Sequence, residues 1–272
     1  MSNLYSYSGK RVAVTGGASG VGAALVNLLD ELGASEVLIL DIQEPKSLSP
    51  SHRFLQVNLA DQDAVTHAAA EIGAVDVLFN NAAVAGTAPS ATVFSLNVLA
   101  LRALTQLVTA QMTPGSAVVN TASTAGNKFS ERKAAIDEVL SIADWDEALA
   151  WFDKHESTLG IDPYSFTKET VQLFTLREAV ALGGRGLRIN SLCPSPIDTP
   201  LLKDFQQSWG EKAIDFTANA AGGLVSPGQV AQSLAFLGMD ASRRINGVNL
   251  LIDGGSTAGF ATGTIDLSAL RG

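Results

Sequence analysis

The segment TGGASGVG, residues 15–22, decides the fold expected of this chain. It follows the short β-branched run RVAVT (11–15) and precedes apolar residues at helical spacing that end near Leu32. Glycines between a strand and a helix allow a tight turn, and they let a pyrophosphate approach the backbone at the positive end of the helix. A glycine pattern alone is weak evidence, but these flanks make the segment typical of a nucleotide-binding turn.

Asp41 supports the same interpretation from the next strand-like run, EVLILD (36–41). A carboxylate at the end of the second strand can accept hydrogen bonds from both ribose hydroxyls, and it repels a 2′-phosphate. No Arg or Lys occupies positions 17–21 or directly follows Asp41. We therefore expect NAD rather than NADP as the cofactor, with a helix or turn cap as the alternative role for Asp41.

Strand-like and helix-like segments alternate along the whole chain. Predicted strands lie at 11–15, 36–41, 53–58, 75–81, 116–123, 187–193 and 248–253, and predicted helices at 61–72, 90–112, 163–182 and 227–238. Residues 200–217 have the pattern of a helical flap. Apolar strands that alternate with amphipathic helices predict one α/β domain over 1–272, with a parallel sheet covered on both faces.

Composition limits the possible partners and compartments. The 272 residues carry a net charge of −9 with no basic patch, so we expect neither nucleic acid nor a membrane surface as a partner. One cysteine and three scattered histidines exclude a disulfide framework and make a metal site improbable, so no metal is expected. The first residues lack the apolar core of a signal peptide, and we expect no run near the roughly 18 apolar residues of a membrane span. A cytoplasmic protein is the simplest expectation.

Tyr164 and Lys168 are spaced to share one helix face. Asp162 and Pro163 are typical of a cap and a first helical residue, which places Tyr164 at the start of the helix. A nearby ammonium and the helix N-terminus should lower the pKa of the phenol, which is about 10 in a free tyrosine. Ser123, at the end of a predicted central strand, could hydrogen-bond the same substrate oxygen. Taken alone, a tyrosine and a lysine at this spacing are more often an aromatic core residue and a solvated lysine.

The full set of motifs resembles the short-chain dehydrogenase/reductase family, in its single-domain branch. The motifs are the glycine turn at 15–22, Asn80-Asn81-Ala82, Asn97, Ser123, Tyr164-x-x-x-Lys168 and Arg188-Ile189-Asn190-Ser191, in this order. The resemblance covers residues 9 to about 256. It implies a Rossmann-type, doubly wound sheet of about seven strands, and hydride transfer between a nicotinamide and a carbonyl or secondary alcohol.

The resemblance also implies a role for individual residues. Tyr164 becomes the acid/base, Ser123 polarises the substrate oxygen, and Lys168 holds the nicotinamide ribose. Asn97 anchors a water in a proton relay to Lys168. The implied cofactor-binding residues, besides Tyr164 and Lys168, are Gly16, Ser19, Gly20, Val21, Gly22, Asp41, Ile42, Asn58, Leu59, Asn81, Ala82, Ala83, Pro194, Ile197 and Thr199.

Three positions depart from the family pattern. Ala83 stands where a glycine is usual, and Ser195 follows Pro194 where a second glycine is usual. Asn58 replaces an aspartate often found beside the adenine. We expect local backbone adjustment at the first two positions, and continued adenine binding at the third.

An insert at about 127–160 separates Ser123 from Tyr164, and it falls just before the predicted tyrosine-bearing helix. Apolar stripes predict two short helices. Ile136, Val139, Leu140 and Ala143 form the first stripe, and Trp145, Ala148, Leu149 and Phe152 form the second. Asp144 and Glu147 are spaced as a capping box.

The insert is either a surface hairpin or a cover for the active-site rim and the helix that carries Tyr164. Its length and place resemble the bacterial 3α-hydroxysteroid dehydrogenase/carbonyl reductase group.

We expect an NAD-dependent oxidoreductase for a bulky, largely apolar secondary alcohol or ketone, such as a hydroxysteroid or an aromatic alcohol. The expected pocket lining is Ala125, residues 84–86, Ser195, Pro196, Leu201, Leu202, Phe205, Trp209 and Phe216. The alternative is a non-catalytic, NAD-binding scaffold, and a sugar epimerase is a third possibility. The insert should obstruct the helix faces through which many relatives assemble, so we expect a homodimer rather than the usual tetramer.

Overall fold

The computed structural model describes residues 4–266. Its strands are β1 (Arg11–Thr15), β2 (Glu36–Asp41), β3 (His52–Gln56), β4 (Val77–Asn80), β5 (Ala117–Thr121), β6 (Arg188–Pro194) and β7 (Asn249–Ile252). They form one sheet in the order β3-β2-β1-β4-β5-β6-β7, and every neighbouring pair is parallel. The predicted Rossmann-type, doubly wound sheet of seven strands is therefore confirmed.

Eleven α-helices connect and cover the strands within the described residues. They are α1 (Gly20–Glu31), α2 (Gln62–Ile72), α3 (Ser90–Phe94), α4 (Leu101–Thr109), α5 (Lys133–Ser141), α6 (Trp145–His155), α7 (Pro163–Gly183), α8 (Leu202–Trp209), α9 (Glu211–Ala220), α10 (Pro227–Gly238) and α11 (Ser256–Thr262). The predicted helix at 90–112 is α3, a π-helical stretch at Ser95–Ala100, and α4, and it ends at Thr109. The predicted flap is the pair α8 and α9.

Apolar side chains fill both faces of the sheet, because strands that are buried on two sides can be apolar at every position. One core cluster joins the sheet to α2, α4 and α7, and the other joins it to α1 and α10. The edge strand β3 has no fully buried position and is exposed at Arg53 and Gln56, as expected where one side of a strand lacks a neighbour. The parallel order brings the carboxyl ends of β1, β2, β4, β5 and β6 to one edge of the sheet, where ligands bind in folds of this class.

The insert (127–160) forms the two predicted helices, α5 and α6, and packs into the core. Ile136 and Val139 on α5, and Ala148 and Phe152 on α6, are buried in the same cluster as α7. The ring of Phe152 stacks on Phe94 of α3 with centroids 4.3 Å apart. These contacts favour the interpretation of the insert as a cover for neighbouring helices over that of a surface hairpin.

Two details of the predicted insert are wrong. Ala143 is exposed, because α5 ends at Ser141 and the apolar stripe ends with it. Asp144 does cap α6, through a 2.9 Å bond from the backbone N–H of Glu147 to its carboxylate. The return bond from the Glu147 side chain is not present, so the cap is a simple one rather than a capping box.

Contrary to the expectation that no run approaches the length of a membrane span, the segment Ser90–Thr109 is long and apolar enough to cross a membrane by length and composition. In the structure, 67% of its most apolar window is buried. It packs against α2 and α7 on one face of the sheet. A central core helix has the same composition as a membrane span, and its place in the fold accounts for its apolar character.

Candidate active site

Ser123, Tyr164 and Lys168 come together at the carboxyl end of β5. Ser123 follows β5 and opens a single 3₁₀ turn, and its hydroxyl accepts a hydrogen bond from the backbone N–H of Ala125 at 3.2 Å. Asp162 caps α7 by accepting a 2.9 Å bond from the N–H of Ser165. The insert loops out between β5 and α7, so it separates these residues in sequence without separating them in space.

The phenol of Tyr164 is buried, and burial raises its pKa above the ordinary value of 10. A hydrogen bond with the Ser123 side chain acts in the opposite direction, and the charge of Asp162 adds to the increase. The expectation that the pKa of Tyr164 is lowered is therefore wrong for this structure. The loss of water around the phenol outweighs the stabilisation that its polar neighbours give to the phenolate.

Lys168 directs its ammonium to the sheet rather than to the phenol oxygen. Its Nζ donates a 2.8 Å hydrogen bond to the carbonyl oxygen of Thr121, and it lies 5.5 Å from the centroid of the Tyr164 ring. Burial lowers the pKa of Lys168 to about 8, and the charge interaction with Cys193 acts in the opposite direction. The lysine is thus a buried donor that titrates close to physiological pH.

Asn97 lies in the π-helical stretch, a distortion that is frequent at functional sites. Its side chain pairs with the backbone of Val84 in both directions at 3.0 Å, and Nδ2 also donates to Thr167 at 3.3 Å. Both amide hydrogens are used within the protein. The side chain therefore braces the loop at 84–86 against α7, and a water in the predicted relay would be held by an oxygen of Asn97.

The glycine turn has the shape of a phosphate cradle. Gly16 has φ +67°, and a Cβ there would lie 2.8 Å from Cα of Ala82. A Cβ at Gly22 would lie 1.9 Å from the carbonyl oxygen of Gly16, so a larger residue cannot occupy that position. Ser19 precedes α1 and makes no side-chain cap bond, while Val21 is a buried residue in the first turn of the helix. These features fit a pyrophosphate at the N-terminus of α1.

Asp41 lies beside this turn. Its carboxylate accepts hydrogen bonds from the backbone N–H groups of Ala18 at 3.0 Å and Gln43 at 3.1 Å. It is therefore a turn cap, the alternative role considered from sequence, and it also presents a negative charge next to the cradle. Ile42, which follows it, is exposed and offers an apolar surface there.

Asn58 and Leu59 follow β3 at the same edge of the sheet. The Asn58 side chain is exposed and accepts a 3.1 Å bond from the N–H of Ala60, so its amide nitrogen is directed elsewhere. Leu59 is buried in the core. Of this pair, Asn58 has the side chain that can reach a ligand, and Leu59 can contribute only through its backbone.

Thr15 and Asn81 lock the cradle to β4. The Thr15 hydroxyl accepts bonds from the backbone N–H groups of Asn81 at 2.9 Å and Ala82 at 3.0 Å. The Asn81 side chain donates back to the Thr15 carbonyl at 3.2 Å. Ala83 needs no left-handed backbone, since no residue other than glycine has a positive φ between residues 4 and 266. Alanine therefore replaces the usual glycine without strain.

The segment 194–199 reaches over the cradle. Pro194 ends β6, and Ile197 pairs with Val225 in an isolated bridge. The Cγ2 of Thr199 lies 3.5 Å from the position that a Cβ at Gly20 would occupy. The Ser195 hydroxyl is buried and has no hydrogen-bond partner among the described residues. An unpaired hydroxyl in this segment is consistent with a polar ligand nearby.

The flap helix α8 covers Tyr164 with two aromatic rings. Phe205 and Trp209 meet the tyrosine ring edge to face, with centroids 4.8 Å and 5.5 Å away. A Cβ at Gly86 would lie 3.9 Å from Cβ of Tyr164 and 4.0 Å from Cβ of Ser208, so the 84–86 loop closes the same space. Phe216, also predicted to line the pocket, instead stacks on Phe260 at 6.2 Å.

Sequence reasoning missed residues that act through the backbone. Thr121 supplies the carbonyl that receives Lys168, and Gln172 donates to the carbonyl of Ser123 at 2.9 Å. The four-residue spacing from Tyr164 to Lys168 continues to Gln172, and that signal was available. Within residues 4–266, no group of three or more His, Cys, Asp or Glu is placed to hold a metal ion.

Two family models match most of the chain. A model described as short chain dehydrogenase matches residues 10–135, and one described as enoyl-(acyl carrier protein) reductase matches residues 149–257. The break between them falls inside the insert.

Similar proteins include several dehydrogenases. Coniferyl-alcohol dehydrogenase of Pseudomonas sp. (strain HR199 / DSM 7063) is 30% identical over 90% of this chain and 96% of its own. Cis-4-hydroxycyclohexanecarboxylate dehydrogenase of Sinomonas cyclohexanicum is 35% identical over 92% of this chain and 97% of its own. The structure of the 3-alpha-hydroxysteroid dehydrogenase from Pseudomonas sp. B-0831, complexed with NADH, superposes with a TM-score of 0.80. It is 27% identical, and the match covers 93% of this chain and 98% of that one.

Proposed function

The chain belongs to the short-chain dehydrogenase/reductase family, and from that membership we propose that it is an NAD-dependent alcohol dehydrogenase or carbonyl reductase. It interconverts a secondary alcohol and the corresponding carbonyl compound by hydride transfer. The observation that carries the proposal is the convergence of Ser123, Tyr164 and Lys168 at the sheet edge that also holds the glycine cradle.

Tyr164 is the proton donor and acceptor of the proposed reaction. In reduction its phenol donates a proton to the carbonyl oxygen, and in oxidation the phenolate takes the proton of the substrate hydroxyl. Ser123, which hydrogen-bonds Tyr164, polarises the same substrate oxygen. The bound nicotinamide supplies or accepts the hydride. Acid–base assistance of this kind contributes about 10²–10⁴-fold.

The raised pKa of Tyr164 sets the pH dependence. At neutral pH the buried group is a phenol, which is the form needed to protonate a carbonyl. Alcohol oxidation needs the phenolate, so its rate should increase as the pH rises. The Ser123 hydroxyl opposes the effect of burial by stabilising the phenolate.

Asp41 supports NAD as the cofactor. Its carboxylate is fixed beside the cradle by Ala18 and Gln43, where it would face the hydroxyl groups of an adenosine ribose. A 2′-phosphate at that position would meet a like charge, which costs affinity.

The substrate we propose is bulky and largely apolar, either hydroxysteroid-like or an aromatic alcohol. Phe205 and Trp209 form an apolar surface on Tyr164, and the loop at 84–86 is made of small residues. The named activities of the relatives, on an aromatic alcohol, a cyclohexane ring and a hydroxysteroid, support the same class.

We also propose a cytoplasmic homodimer whose ligands are small molecules rather than nucleic acid or membrane. The insert occupies faces of α4 and α7: Arg102 donates to the carbonyl of Ile142 at 2.7 Å, and Arg177 pairs with Asp137 at 2.8 Å. A face that the insert already covers is closed to a second chain. Light scattering should give the mass of a dimer, and a stable tetramer would defeat this part of the proposal.

The test of the activity is NADH formation from NAD with a panel of secondary alcohols, steroids and aromatic alcohols included. We expect turnover on at least one ring-bearing alcohol. A protein that binds NAD but turns over no member of the panel, in either direction, is better described as a scaffold.

A further inference from the structure

Tyr164, Lys168 and Gln172 are four residues apart and therefore line one face of α7. Two of them hold the chain that leaves β5. Lys168 donates to the carbonyl of Thr121 at 2.8 Å, and Nε2 of Gln172 donates to the carbonyl of Ser123 at 2.9 Å. Helix α7, which carries Tyr164, therefore holds by two hydrogen bonds the backbone that positions the Ser123 hydroxyl.

The turn that follows Ser123 is packed closely against α7. A Cβ at Gly126 would lie 2.6 Å from the carbonyl carbon and oxygen of Lys168, and 2.8 Å from Nε2 of Gln172. The turn after Ser123 therefore rests directly on the helix backbone. Gln172 itself is buried, so its hydrogen bonds face no competition from water.

The second hydrogen of the same amide group goes to the insert. Nε2 of Gln172 donates to Oδ1 of Asn127 at 3.3 Å, and Asn127 in turn donates to the Thr257 hydroxyl at 3.1 Å on α11. Asn127 is the first residue of the insert. One amide group thereby joins Ser123, the insert and α7.

We propose that Gln172 is a positioning residue, which acts through the Ser123 backbone to hold the Ser123 hydroxyl in register with Tyr164. This inference rests on the function proposed above. Among the described residues, the side-chain amide of Gln172 donates to Ser123 and Asn127 and not to Tyr164, and Ser123 is the one of these two partners that hydrogen-bonds the phenol. A reacting group displaced by about 1 Å can lose a factor near 10² in rate.

The test compares Gln172→Met with Thr170→Val. Methionine keeps the length of glutamine without its donors. Thr170 is a buried neighbour on α7 whose hydroxyl donates to the Phe166 carbonyl of its own helix, at 2.9 Å. We expect Gln172→Met to lower kcat between about 10- and 100-fold with NAD affinity unchanged within twofold. Thr170→Val should stay within about threefold of wild type in kcat.

A double-mutant cycle with Ser123→Ala separates positioning from general damage. If Gln172 acts through Ser123, adding Gln172→Met to Ser123→Ala changes the residual rate by less than about twofold. Single-turnover experiments with excess enzyme can measure this slow residual rate. Two results would overturn the inference: full additivity in this cycle, or a wild-type kcat in the Gln172→Met single variant.

The proposed function and this inference fail differently. If the wild-type protein oxidises no alcohol and reduces no carbonyl compound, the proposed function fails. If the wild type is active, Tyr164→Phe is not, and Gln172→Met matches the wild type, then the role of Gln172 alone is wrong.

Discussion

The guanidinium of Arg132 in the insert donates two hydrogen bonds to the carboxylate of Glu169 on α7, with 2.6 Å between Nε and Oε2. Glu169 directly follows Lys168 and its side chain is fully buried, while that of Arg132 is 17% exposed. This pair attaches the insert to the helix that carries the acid/base. The hydrogen bond with Glu169 also raises the pKa of Arg132.

Arg132→Met should destabilise the fold, because it leaves a buried carboxylate without its partner. We expect the free energy of unfolding to fall by about 3–5 kcal/mol. Lys133→Met is the matched control. Lys133 pairs with Asp137 on the surface and is 59% exposed, so a loss within about 0.5 kcal/mol is expected. Chemical denaturation measures the free energy of unfolding of both variants. Equal losses in the two variants would show that the Arg132–Glu169 pair does not stabilise the attachment of the insert.

Trp209→Ala should open the surface over Tyr164. The variant loses the edge-to-face contact at 5.5 Å and with it a ring of the proposed substrate pocket, and we expect KM for a bulky alcohol to rise roughly 5–20-fold. Burial raises the pKa of Tyr164, so admission of water should bring that pKa back toward its ordinary value. The rate of oxidation should then increase at a lower pH than in the wild type.

Phe216→Ala is the control for that variant, since Phe216 belongs to the same flap but stacks on Phe260. Its pH profile should match that of the wild type. A shift of equal size in the two variants would indicate that flap mobility, rather than the ring on Tyr164, determines the profile.

Asp41→Asn should weaken the discrimination between NAD and NADP. The change removes the charge and keeps one side-chain oxygen, which can accept from the N–H of Ala18 or of Gln43 but not from both. We expect the ratio of kcat/KM for NAD over NADP to fall about tenfold or more. Asp63→Asn, an equal charge change at an exposed position of α2, should leave the ratio unaltered. A wild-type preference for NADP would refute the assignment of Asp41.

The fold and the cradle could be predicted because they depend on local patterns. Gly16 and Gly22 occupy positions where a Cβ would clash, and Asp162 caps α7. Each of these features can be recognised from a few neighbouring residues in the sequence. The pKa of Tyr164 could not be predicted in this way. It depends on how completely α8 and the loop at 84–86 exclude water, which is a property of packing between segments far apart in sequence.

The same limit applies to the insert. The apolar stripes of the insert predict its two helices, but they do not identify the surface against which each helix packs. Arg132 with Glu169, and Gln172 with Ser123, are bonds across 37 and 49 positions between residue types that are common on surfaces. Only the packed structure shows that they meet.

Lys168→Met should make the protein more stable at neutral pH, because it removes a buried ammonium group. Burial lowers the pKa of Lys168 to about 8 from 10.5, so between these values the unfolded chain holds a proton that the folded protein has released. Stability therefore rises with pH through that window. At pH 7, burial of the ammonium costs up to roughly 3 kcal/mol. After the loss of the bond to Thr121, we expect a net gain of about 1–3 kcal/mol in the variant.

Denaturation at pH 7 and pH 9 measures this effect. The gain from Lys168→Met should be smaller at the higher pH, where the folded wild type has already lost the proton. The exposed Lys46→Met is the control and should change stability equally at both values. A gain for Lys168→Met that does not depend on pH would contradict the lowered pKa.

The central claim is that Tyr164 moves the proton in a hydride-transfer reaction, and Tyr164→Phe tests it most directly. The variant keeps the ring that packs against Phe205 and Trp209, and it removes only the hydroxyl. NADH formation should be followed on the best alcohol from the panel, with NAD binding measured in parallel. We predict a kcat at least about 10²-fold below the wild type, with NAD affinity unchanged within twofold. A variant that turns over the alcohol at the wild-type rate would contradict the account.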